Sequence, residues 1–138
     1  MTTKSQRQRI AALARNRCGY CLLQEVVSGI PLTIEHLLPK AHSGGDEDDN
    51  LWLSCRLCNE RKGTLVQAID PAGVELVALF NPRTQQWDDH FIWSEDSTLI
   101  LAKTASGRAT IAALALNDEL RVRARAIWVK SGWHPPKS

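Results

Sequence analysis

Apolar residues recur at helical spacing near the N-terminus, where Ile10, Leu13 and Ala14 fall on one face of the stretch Ser5–Arg15. Ser5 followed by Gln8 suits a capping box, so a helix is predicted there. The pattern then shortens. Pro31–His36 and Leu51–Ser54 read as strands, Pro39 bars a helix between them, and Gly44-Gly45 with the acids after them form a loop. Beyond Arg56 a helix is expected to run through Gly63 and stop before Asp70-Pro71. Farther on, "VELVALFNPR" and "DHFIWSEDSTLILAKT" read as strands, with a Glu-Asp-Ser turn inside the second. "GRATIAALAL" and "DELRVRARAIWVK" read as helices, the last capped by Asp118. The expected class is α+β. Residues 1–70 form a core with an N-terminal helix, and residues 71–138 form a hairpin and two-helix extension packed on it as one domain. There is no internal repeat and no low-complexity segment.

A chain of 138 residues can bury only a modest core, which supports the single domain. With 43% hydrophobic and 23% charged residues its composition is ordinary for a soluble protein. The net charge of +2 barely discriminates among partners, but its distribution says more. Acids crowd into Asp46–Asp49, whereas Lys4–Arg17, Arg56–Lys62 and Arg121–Lys130 are locally basic. No apolar run has the length of a membrane span and the first residues lack a hydrophobic leader, so a cytoplasmic location is expected.

A reducing compartment changes the reading of the four cysteines, which become metal ligands in preference to disulfides. Cys18-x-x-Cys21 and Cys55-x-x-Cys58 have the knuckle spacing that tetrahedral Zn²⁺ favours. A redox Cys-x-x-Cys has no need of a second copy. Four thiolates close the coordination shell, so this zinc is structural: it ties the two turns together and fixes the residues just beyond the second.

Those residues are Asn59, Arg61 and Lys62, and Glu35-His36 lies some twenty positions upstream of the same knuckle. "CGYC", "IEHLLPKAHSGGDEDDNLWLSC" and "CRLCNERKG", spanning Cys18–Gly63, resemble the HNH endonuclease family with its ββα-metal fold. The resemblance implies that His36 is the general base and Asn50 braces the loop carrying it. It implies that Glu35 and Asn59 hold a catalytic Mg²⁺ or Mn²⁺, and that Lys62 lies near the reacting phosphate. Asn59 stands where the family name has histidine, and Glu35 where aspartate is common; both departures bear on metal preference. "LFNPRTQQWDDHFIWS", "GRAT" and "WVKSGWHPP" are similar to an extension carried by one group of bacterial HNH proteins.

The chemistry is coherent without the resemblance. Phosphodiester hydrolysis needs a base near neutral pH, which histidine provides, and a hard cation to stabilise the developing charge. Two protein oxygens leave the rest of the shell to water and phosphate, as Mg²⁺ prefers. DNA is the expected partner, with RNA the alternative. Arg61, Arg121 and Arg125 are candidate backbone contacts, the last two sharing a helix face. A solvated face is the competing account of them. Asp46–Asp49 reads as a mobile acidic loop, Asp89-His90 as a decoy with no Cys-x-x-Cys-Asn after it, His42 as peripheral, and His134 as a residue that packs or faces solvent. Trp87, Trp93, Trp128 and Trp133 read as core. The alternative function is a non-catalytic zinc module that binds nucleic acid or a protein. Convergence of His36, Glu35 and Asn59 on one solvent-reachable point separates the two. Oligomeric state leaves no signal in the sequence.

Overall fold

A computed structural model describes residues 2–137. The first helix, α1, spans Lys4–Ala14, and its capping box lies two residues earlier than expected. Thr3 accepts from the Gln6 backbone, and the Gln6 side chain accepts from the Thr3 N–H. Two amides that a helix start leaves unpaired are satisfied reciprocally. Ile10 and Ala14 are buried, but Leu13 is 57% exposed, so the apolar face is narrower than its spacing implied.

After the first knuckle comes a short helical turn, α2 (Glu25–Ser28), which the sequence pattern did not reveal. Strands β1 (Thr33–His36) and β2 (Leu51–Ser54) pair antiparallel, with Glu35 opposite Trp52 and His36 opposite Leu51. Consecutive strand residues point to opposite faces, so Glu35 and His36 leave β1 in different directions. Helix α3 (Arg56–Lys62) starts on Cys55, whose sulfur accepts from the Cys58 N–H.

The expected run of α3 toward Asp70 does not occur. Gly63 takes φ +52°, a conformation open to glycine, and its N–H closes on the Asn59 carbonyl. The next residues form a strand instead: β3 (Gln67–Ile69) pairs with β4 (Leu76–Ala78). A short α4 (Trp87–His90) leads into the hairpin of β5 (Phe91–Trp93) and β6 (Ile100–Ala102). Helices α5 (Ala105–Leu114) and α6 (Glu119–Lys130) close the chain, capped by Thr104 and Asp118.

One buried cluster joins Ile10 of α1 and Leu51 and Leu53 of β2 to Phe80, Phe91, Ile100, Leu114 and Leu116. Arg108 of α5 donates two bonds of 2.9 Å to Asp70, clamping the helix beside β3. Trp87 and Trp93 pack against this core, whereas Trp133, expected inside, is 54% exposed. Among the described residues no helix is long and apolar enough to cross a membrane.

Candidate active site and metal centre

The four cysteines meet. Their sulfurs all lie within 4.8 Å of one another, and every one of the four residues is buried. The Cys21 and Cys55 sulfurs are 3.7 Å apart. Tetrahedral Zn²⁺ with bonds of about 2.3 Å demands sulfur–sulfur edges of about 3.8 Å. Backbone N–H groups of Tyr20 and Cys58 donate to Cys18 and Cys55 at 3.4 Å, as a thiolate knuckle requires. The donor set fits zinc.

Two arginines proposed from the sequence as phosphate contacts serve this centre and the core instead. Arg121 directs two N–H groups at the Cys58 sulfur, 3.4 and 3.5 Å away. Arg125 is 3% exposed and donates to the carbonyls of Thr98 and Leu116 and to Asn117. They share a face of α6, and that face looks inward. They are neither a solvated pair nor free for nucleic acid. Four thiolates around Zn²⁺ carry two net negative charges, and a guanidinium against one of them offsets part of that charge. Arg121→Ala should therefore release zinc to a chromogenic chelator roughly 10-fold faster than wild type. Arg121→Lys should release it at an intermediate rate.

Glu35 lies on the α3 side of the hairpin. It is 2% exposed, with the Lys62 ammonium 3.0 Å from one carboxylate oxygen. Lys62, expected near a substrate phosphate, is itself 3% exposed and donates to the Leu37 carbonyl at 3.3 Å. The ion pair lacks hydrogen-bond geometry, and so does the neighbouring Tyr20 hydroxyl; both Glu35 oxygens are buried without a hydrogen-bond donor. Burial pushes the Glu35 carboxyl above its ordinary range, and Lys62, Tyr20 and His36 only partly offset it. A cation at this carboxylate would take the place of the Lys62 ammonium. Asn59, half-buried, stands one helical turn before Lys62 on the same side of α3, and its amide makes no hydrogen bond among the described residues. A carboxylate and an amide oxygen fit Mg²⁺ or Mn²⁺, although Lys62 already holds part of that position.

On the other face of β1, His36 Nε2 lies 2.7 Å from Asp46 Oδ1. Asp46 belongs to the acidic run expected from the sequence to be a mobile, solvated loop, and its contacts correct that expectation. Asn50 pins the loop with three bonds: it accepts from Leu38 N–H at 2.8 Å and donates to the Leu38 and Gly45 carbonyls at 3.0 and 2.8 Å. Gly44 permits the close fold, since a Cβ there would sit 1.7 Å from the Leu38 carbonyl oxygen. Gln6 of α1 donates to the Asp46 carbonyl and to Asp48, and Arg9 pairs with Asp48 at 2.8 Å. The loop is bound on both sides.

Glu35 and Lys62 thus meet between β1 and α3, while His36 and Asp46 meet on the opposite face toward α1. The expected convergence of His36, Glu35 and Asn59 on one solvent-reachable point does not occur among the described residues. Neighbouring strand residues leave β1 in opposite directions and Glu35 is buried, a divergence that favours the binding module. Arg61 is exposed. His42 bonds the Thr64 carbonyl, His90 bonds Thr104, and His134 packs edge-on against Trp93. Tyr20, Asp46 and the Cys58 contact of Arg121 were not evident from the sequence. Only for Asp46 was there a signal, its place in an acidic run just before Asn50. Residues 18–65 match the family model described as HNH endonuclease. The curated proteins and the solved structures contain no match to the chain.

Proposed function

We propose that this chain, whose residues 18–65 belong to the HNH endonuclease family, hydrolyses phosphodiester bonds in DNA with His36 as general base. The observation that carries the reading is a partly exposed imidazole fixed at 2.7 Å on a carboxylate, in a loop that Asn50 pins to its hairpin. His36 takes a proton from the attacking water, and Asn50 keeps the loop from moving under it. Glu35 and Asn59 would hold Mg²⁺ or Mn²⁺, which would stabilise negative charge on the phosphate; this part of the reading requires Glu35 to leave Lys62 and reach the His36 side of β1. Exposed Arg61 gives phosphate an electrostatic approach, and the cysteine-bound zinc is structural.

Supercoiled plasmid with Mg²⁺ or Mn²⁺ tests the reading. Wild type should nick it, and His36→Ala should lose at least about 100-fold in rate. Equal nicking by the two proteins would end the assignment of the base. A zinc-stapled module that binds nucleic acid or a protein is the second reading, favoured by the burial of Glu35 against Lys62 and by the departure of Glu35 and His36 to opposite faces of β1. Its nucleic-acid form requires that the protein retain labelled DNA in a salt-dependent manner and never cut it.

A further inference from the structure

We infer that Asp46 is a positioning residue for His36, fixing the neutral imidazole with its proton on Nε2 so that Nδ1 is the basic atom. This rests on the nuclease reading above for its consequence, but on geometry for its substance. A carboxylate only accepts hydrogen bonds, so a 2.7 Å contact to Asp46 Oδ1 places a proton on His36 Nε2. In the neutral ring the lone pair then belongs to Nδ1, which has no hydrogen-bond partner among the described residues. The His36 side chain is 23% exposed, so water can reach it.

The loop that carries the carboxylate is itself held. Gln6 donates to the Asp46 carbonyl at 2.7 Å and to Asp48 at 3.0 Å, Arg9 grips Asp48 with two bonds, and Asn50 holds the adjacent Gly45 carbonyl. Lys40 stands 3.6 Å from the same Asp46 oxygen, an exposed contact that salt weakens. Gln6 and Arg9 lie on α1, outside residues 18–65. The helix therefore acts on the base through the acid: α1 sets the loop, the loop sets Asp46, and Asp46 sets the imidazole.

In the reaction, the water oxygen forms a bond to phosphorus as one water proton passes to His36 Nδ1. The imidazolium keeps its Nε2–H on Asp46, whose charge stabilises it. The P–O bond to the leaving group breaks, and the departing oxygen takes a proton from solvent.

The direct test is nitrogen NMR on ¹⁵N-labelled protein at alkaline pH, where imidazoles are neutral. Wild-type His36 should show the Nε2–H tautomer, and Asp46→Ala should shift it to a mixture. Asp46→Asn, of the same size, serves if the alanine variant does not fold. On plasmid, either variant should lower kcat by an order of magnitude or more with KM little changed. His36→Ala/Asp46→Ala should be no slower than His36→Ala, because the acid acts only through the base. A wild-type Nδ1–H tautomer, or one unmoved by Asp46→Ala, overturns the inference. So does a further loss in the double variant, which would mark Asp46 as acting directly on the cation or substrate. The two ideas fail separately: a tautomer shift without any cleavage removes the nuclease reading and leaves Asp46 as the residue that orients His36.

Discussion

Cys58→Ser is expected to cost the chain its zinc and most of its stability. The four sulfurs hold together the two turns, and Cys21 and Cys55, which touch across the centre, are 34 positions apart. Structural zinc in small domains is worth about 10–16 kcal/mol of apparent binding free energy, which in such proteins is folding free energy. Serine at neutral pH is a poor ligand, so the remaining three thiolates hold the ion weakly. The substitution also removes the sulfur that Arg121 contacts, leaving a half-buried guanidinium short of an acceptor. Zinc content per chain should fall from one toward zero, and the melting temperature should drop by more than about 10 °C. An unchanged zinc content and an unchanged melt would refute the cluster. Brief treatment with EDTA makes the contrast, since it should abolish cleavage before it melts the fold, and added Mg²⁺ should restore it.

Lys62→Met is expected to destabilise the protein and to make its stability depend on the divalent cation. In wild type the ammonium is the nearest positive charge to Glu35, with both groups almost fully buried. Removing one partner of a buried pair typically costs about 3–5 kcal/mol, because the other charge is left uncompensated. For a domain of this size the melting temperature should fall by roughly 10 °C. The freed carboxylate then needs another cation. If Glu35 and Asn59 hold Mg²⁺ or Mn²⁺, the ion at 100 times its dissociation constant should return about 2.7 kcal/mol. Glu35→Gln/Lys62→Met should instead melt closer to wild type and ignore the ion, since neither buried charge remains. A Lys62→Met protein indifferent to Mg²⁺ and Mn²⁺ would make the pair a structural clasp and strike Glu35 from the ligand set. This thermal readout needs no activity, so it stands apart from the plasmid assay.

Much of the framework is set by the sequence alone. Two Cys-x-x-Cys knuckles meet because their spacing matches what one tetrahedral ion can gather, and the structure brings all four sulfurs together. The hairpin of β1 and β2, the start of α3 and the Asp118 cap of α6 are local in origin, set by alternation, a proline and a capping oxygen. Even the errors near the ends of elements are local. Thr3 outcompetes Ser5 as the cap because it lies outside the helix, and Gly63 ends α3 by adopting a backbone angle that other residues avoid. Only the tertiary structure decided which partner each charged side chain takes. Arg121 meets Cys58 across 63 positions, Gln6 meets Asp46 across 40, and Lys62 turns inward to Glu35 across the gap between α3 and β1. Spacing along the chain says that Glu35 and His36 are neighbours, yet a strand sends them to opposite faces, one into the core and one to an aspartate on the loop. A buried charge must find compensation wherever packing puts it, and that choice is made by distant segments folding together rather than by any local pattern.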